Sequence, residues 1–163
     1  MRCVVWPSSA DDGNAPGLAG RICAAAASNW PHPARLWKGA VIMAPPVINF
    51  REKFGKFTQP WSPRVVAEMN DYQFKLVRLK GDFVWHKHED TDEVFMVIAG
   101  EMQVGLRDRE VSIKAGEMFV IPKGVEHITR ASEECQAMII EPRGVVNTGD
   151  AGGALTAADD VWV

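Results

Sequence analysis

The stretch Gly81-Asp82-Phe83-Val84-Trp85-His86-Lys87-His88-Glu89-Asp90-Thr91-Asp92-Glu93-Val94-Phe95-Met96-Val97-Ile98-Ala99-Gly100 decides the fold. Phe83 to His88 reads as a short strand, Glu89-Asp90-Thr91-Asp92 as an acidic loop, and Glu93 to Ala99 as a second strand. Strand side chains alternate faces, so His86 and His88 point the same way, roughly 7 Å apart at the backbone. Glu93 opens the following strand across the loop, and every residue from Val94 to Ala99 is apolar. A strand apolar on both faces needs cover on both, which makes this a central strand.

Working outward, short apolar or alternating runs recur between turn residues. Upstream lie Arg64 to Met69, closed by Asn70-Asp71, and Tyr72 to Lys80, closed by Gly81. Downstream lie Met102 to Arg107, Glu110 to Lys114, Glu117 to Ile121, Glu126 to Ala131 and Cys135 to Glu141. Gly100-Glu101, Asp108-Arg109, Ala115-Gly116, Pro122-Lys123-Gly124 and Glu133-Glu134 supply the turns. From about Val47 onward the chain therefore reads as about nine strands with no long helix. That pattern predicts an all-β fold, a small barrel or sandwich.

The flanks differ. Residues 1–42 are rich in Ala, Pro, Gly and Ser, contain Trp30-Pro31-His32-Pro33, and hold no period of 2 or 3.6. They read as a low-complexity, disordered N-terminal segment, with Met43 as a candidate true start. Asp11 and Asp12 sit where a secretory signal would be basic and then apolar. The β domain is expected over 43–145, and 146–163 as a Gly-, Ala- and Asp-rich tail packed loosely on it.

Composition excludes several classes. A length of 163 residues fits one domain. Eighteen basic against 21 acidic residues give a net charge of −3, too negative for a protein built to grip a phosphate backbone. No run approaches 18 apolar residues, so neither nucleic acid nor membrane is an expected partner. Cys3, Cys23 and Cys135 lie far apart and cannot all pair, which points to a reducing, cytoplasmic compartment.

The chemistry centres on histidine. Three of the four histidines are His86, His88 and His127, the last following the turn Pro122-Lys123-Gly124; His32 lies in the N-terminal segment and has no assigned role. Two histidines, a carboxylate and a third histidine make a mixed nitrogen–oxygen set suited to Mn, Fe, Co, Ni, Cu or Zn, not to calcium. A lone strand histidine is more often structural than a ligand, and spacing alone leaves open whether His127 reaches the pair. Asp92, next to Glu93, is an alternative carboxylate.

Two motifs carry a family resemblance. Gly81-(4)-His86-x-His88-(4)-Glu93-(6)-Gly100 is similar to the first cupin motif, with one residue fewer between the glycine and the first histidine. Gly116-(5)-Pro122-x-Gly124-(2)-His127 is similar to the second, with Ala131 in place of the usual asparagine. The resemblance covers roughly residues 62–142 and is to the small single-domain cupins, often labelled mannose-6-phosphate isomerase-like. It implies a jelly-roll barrel holding one divalent transition metal per chain (Fe, Mn, Zn, Ni, Co or Cu), with His86, His88, Glu93 and His127 as ligands.

Four ligands on a six-coordinate ion leave two positions open, as a catalytic centre requires. Phe95 and Val97 should face inward with Glu93, making an apolar pocket around a charged centre. The expected function is a metal-dependent enzyme on a small oxygen-bearing metabolite: a dioxygenase, isomerase or lyase, a sugar isomerase among them. The alternative is a non-catalytic module that binds or senses a small molecule. No catalytic proton-transfer residue is assigned. Tyr72, Glu68 and Arg78 lie on strands that could face the pocket, and Arg78, Lys80, Lys123 and Arg130 are the cations available for a sugar phosphate. The two-faced apolar strand also predicts a homodimer.

Overall fold

The computed structural model describes residues 46–163. The expectations for residues 1–42 lie outside them. The elements are α1 (Phe50–Phe54), β1 (Arg64–Met69), β2 (Tyr72–Asp82), β3 (Glu93–Ala99), β4 (Glu101–Leu106), β5 (Glu110–Lys114), β6 (Met118–Ile121) and β7 (His127–Pro142). All strand pairs are antiparallel, in the order β1-β2-β7-β3-β6, with β4 pairing β5 and β7. The chain is an all-β jelly-roll barrel, as its strand pattern implies. No helix among the described residues is long and apolar enough to cross a membrane.

Side-chain parity sorts this sheet into two apolar layers. Val77 and Leu79 of β2, Phe95 and Val97 of β3, and Cys135, Ala137 and Ile139 of β7 point inward. They meet Met102, Val104, Ile113 and Ile121 in the barrel core. The alternate residues Leu76, Met96, Ile98, Met138 and Ile140 form a second cluster on the outer face with Phe54 and Phe57. The cover expected over both faces of β3 is thus partly supplied by α1. Cys135 is a free, fully buried thiol. Burial, then the nearby Glu101, pushes it up to about 11, so it acts as a small apolar filler.

Three expectations change. Residues 50–54 form a helical turn rather than β structure, because Asn49 caps it: its side-chain oxygen accepts the Glu52 amide at 3.2 Å. Residues 83–88 are no regular strand; only His86 bridges, to His127. β2 runs on through Asp82, and a register shift between Leu79 and Gly81, where Gly81 has φ of +79°, bends the chain away. The two strands expected at 126–131 and 135–141 are one. Glu133 and Glu134 need no turn because β7 changes partner there, from β4 at His127–Arg130 to β3 from Gln136 on, while β2 spans the junction.

Residues beyond Pro142 are fastened more firmly than their composition suggests. Val65 donates to Val161 O at 2.8 Å and accepts from Val163 N at 3.1 Å. Asp160 accepts from the buried Gln73 amide at 2.9 Å. Lys75 is buried with Glu141 at 2.9 Å, with Asp159 3.4 Å away. Met102 is fully buried in the barrel core. Met102→Ala is expected to cost about 2–5 kcal/mol in urea unfolding, through lost burial and the cavity left behind.

Candidate metal centre

Two short strands of backbone contact assemble the centre. His86 and His127 exchange both backbone hydrogen bonds, each 2.9 Å, and the Gly124 amide donates to His88 O at 2.7 Å. Pro122-Lys123-Gly124 therefore ties the second motif to the first; Gly124 has φ of +74°, which suits glycine. Glu93 opens β3 on the inward parity shared with Phe95 and Val97, and His127 opens β7. All four side chains are buried, none more than 7% exposed.

One donor atom from each of His86, His88, Glu93 and His127 lies within 4.8 Å of all the others. Atoms bound about 2.0–2.2 Å from one ion stand about 3–4 Å apart, so the cluster is close to ligating size. Glu93 Oε2 is 3.2 Å from His127 Nε2 and 3.5 Å from His88 Nε2. None of those three atoms makes a hydrogen bond, although all are buried. Three orphaned buried polar atoms converging on one point are costly unless something satisfies them. A divalent cation does.

The backbone sets the tautomers. His86 Nδ1 lies 3.0 Å from Val84 O, and His127 Nδ1 lies 3.0 Å from Val125 O. With Nδ1–H donating to a carbonyl, each ring presents the lone pair of Nε2 to the centre. Burial first, then repulsion from His127, pushes His86 down to about 4, so it stays neutral. Burial works against the charge on Glu93, but the facing His127 and His88 outweigh it and hold the carboxyl down to about 2. Burial also opposes charge on His88, yet the pull of Glu93, Glu141 and Asp150 raises it above its ordinary value. The cluster is thus an ionised carboxylate among basic nitrogens, which suits a borderline divalent ion.

A cavity of about 20 Å³ adjoins His86 and Glu93. Its walls are mainly apolar: Trp61, Val77, Leu79, Phe83, Phe95 and Ile139, with Thr129 and Asn147. Trp61 stacks on Phe83 with centroids 4.8 Å apart, and Phe83 meets the His86 ring edge-on at 5.4 Å. The pattern of β3 foretells Phe95; nothing local foretells Trp61 or Asn147, which come from segments outside the strands.

Other candidates fall elsewhere. Asp92 is exposed and its carboxylate accepts the Lys123 amide at 2.9 Å, so the centre uses Glu93. Tyr72 is exposed; Glu68 is held by Arg143 and Gln73; Arg78 is pinned to Phe54 O, Phe57 O and Glu134. None of the three lines the cavity, nor do Lys80, Lys123 or Arg130. Ala131, where the motif usually carries asparagine, packs into the barrel core.

The family model described as "Cupin domain" matches residues 76–142, which include all four clustered residues. The chain is similar to a cupin-2 domain containing protein of known structure from Shewanella frigidimarina NCIMB 400. The two share 65% sequence identity at a TM-score of 0.59, over 60% of this chain and 95% of the other. This chain belongs to the cupin family. The cupin is also similar to the crystal structure of protein NMB1881 from Neisseria meningitidis, 34% identical at a TM-score of 0.55, over 60% of this chain and 99% of that one. The uncharacterized protein YdbB of Bacillus subtilis (strain 168) is 39% identical over 67 residues, which are 40% of this chain. That match spans 59% of the length of YdbB.

Protons and metal compete for these side chains, and His88 takes up a proton before His86 does. It protonates above 6.5 as pH falls, whereas His86 stays neutral until about 4. Metal affinity is therefore expected to weaken between pH 8 and pH 5.5. Isothermal titration with Mn(II) or Co(II) at both values checks this, and equal affinities would exclude His88 as a ligand.

Proposed function

We propose that this cupin is a metal-dependent enzyme that acts on a small oxygen-bearing molecule, with one divalent transition ion held by His86, His88, Glu93 and His127. The observation that carries the reading is the convergence of buried, unpartnered His88 Nε2, Glu93 Oε2 and His127 Nε2 on one point. A bound ion there supplies Lewis acidity and coordination positions beyond the four protein donors. The chain's own part is to hold two imidazoles by their Nδ1–H groups, keep Glu93 ionised, and exclude water with Trp61, Phe83 and Phe95.

The cavity favours one end of the range of reactions. A volume of about 20 Å³ holds about one water-sized molecule. Its apolar walls and the distance of Arg78, Lys80, Lys123 and Arg130 from it argue for a small, weakly polar ligand over a sugar phosphate. Dioxygen chemistry fits such a chamber better than sugar isomerisation. Cytoplasmic residence accords with the free Cys135 thiol.

Elemental analysis of untagged protein tests the reading. About one transition-metal ion per chain is expected, and none in the His86→Ala/His88→Ala variant. Iron would direct the search to oxygenation, zinc or manganese to isomerase or lyase chemistry. No uptake of Fe(II), Mn(II), Zn(II) or Ni(II) by the parent would sink it and leave a metal-free binding module.

We also propose that the protein is a homodimer, on the strength of its uncovered apolar surface. Phe74 and Met138 of the outer layer border an apolar groove of about 290 Å³ with Ile48 and Phe50, and Met118 and Val120 of edge strand β6 are exposed. Light scattering on the eluting protein is expected to give twice the chain mass, and a Met118→Asp/Val120→Asp variant, changed only at exposed positions, half that value. A monomeric parent would refute dimerisation.

A further inference from the structure

Lys87, between the two ligand histidines, lies outside every strand. Lys87 is half-buried, and its backbone groups are matched within the protein all the same. His86 is matched by His127, and His88 O by Gly124 N. Both partners of Lys87 come from one residue far along the chain. Its N–H donates to Asp150 Oδ1 at 2.9 Å, and its carbonyl accepts from the Asp150 amide at 3.2 Å.

The neighbouring contacts show how closely this segment presses on the centre. Gly149 has φ of +49°, and a Cβ there would stand 2.2 Å from Lys87 O and 3.2 Å from His86 Cδ2. Only a residue without a side chain fits. Thr148 is fully buried, its hydroxyl 2.8 Å from that of Thr156. Asn147 lines the cavity beside His86 and Glu93. Its amide nitrogen donates to Trp61 O and Leu155 O, and its oxygen accepts from Ala157 N. Asp150 itself is exposed, so the latch is the weakest part of an otherwise packed wall.

We propose that residues 147–150 form a strap latched against the segment that carries His86 and His88, with Asp150 a positioning residue that holds Lys87, and through it His86 and His88, in ligating register. The proposal rests on the metal centre described above and adds what holds its two irregularly placed histidines. Asn147 is the strap residue that lines the chamber, beside His86 and Glu93. The amide of Lys87 also holds the Asp150 carboxyl below its ordinary value, in keeping with a working hydrogen bond.

The full chain, metal-free and Co(II)-loaded, tests this in the parent, Asp150→Ala and Asp150→Asn, with circular dichroism confirming that each is folded. Amide hydrogen exchange of the peptide spanning Lys87 is read first, without metal. Asp150→Ala is expected to exchange markedly faster, and Asp150→Asn near the parent rate, since an asparagine oxygen accepts the same bond. The second readout is release of Co(II) to excess chelator, with its absorption spectrum. Release from Asp150→Ala is expected to be about 10–100-fold faster, the usual effect of losing a group that orients metal ligands, with an altered spectrum restored by Asp150→Asn. Unchanged exchange at Lys87 in Asp150→Ala would overturn the strap. Faster exchange with parental release and spectrum would overturn the positioning role. A parent that takes up no Co(II) would overturn the metal centre and that role with it, while amide exchange would still decide whether Asp150 latches Lys87.

Discussion

The two backbone hydrogen bonds between His86 and His127, each 2.9 Å, are the constraint on which the rest of the centre depends. They join residues 41 positions apart and do so outside any continuous ladder. With the bridge in place, the imidazole centroids of His86 and His127 stand 4.3 Å apart and both Nδ1 atoms meet carbonyls two residues back in the chain. The same backbone contact thus sets separation and tautomer. The core beneath supplies rigidity: Phe95, Val97 and Ile121 fix the strands that flank it.

Charge is arranged around that bridge so that one buried carboxylate is held down and another is pushed up. Glu93 faces His88 and His127 and is held down to about 2 against the cost of its burial. Glu141 lies on β7, which pairs with β3, and is pushed up to about 7 by burial and then by Glu93, with Lys75 opposing. Two buried acids in one barrel interior are therefore shifted in opposite directions because their neighbours differ. Lys75 and Glu141 form an ion pair whose desolvation offsets much of its attraction, so its main service is to fix how the C-terminal residues meet the barrel.

The chamber and its cover divide the labour between rigid and looser parts. Strands carry Glu93 and His127, while an irregular segment carries His86 and His88. Irregular backbone can be aimed, but it must find its hydrogen bonds elsewhere. His127, Gly124 and Asp150 provide them, from two separate parts of the chain.

The alternation of β2, β3 and β7 carried most of the fold, because a period of 2 states which residues face inward whatever the strand order. It placed Phe95 and Val97 in the core and Glu93 beside them. The motif spacing carried the clustered His and Glu residues, since Gly81, Gly100, Gly116 and Gly124 all adopt the positive φ that their turns demand. Local pattern failed at 83–88 and 133–134. Whether a run is a strand depends on a partner that lies far away in sequence, and neither partner choice nor bulges are written locally. Only the tertiary structure brought Trp61, Asn147 and Asp150 to the centre. Their positions follow from hydrogen bonds to distant backbone, an interaction that leaves no period and no composition bias in the sequence to read.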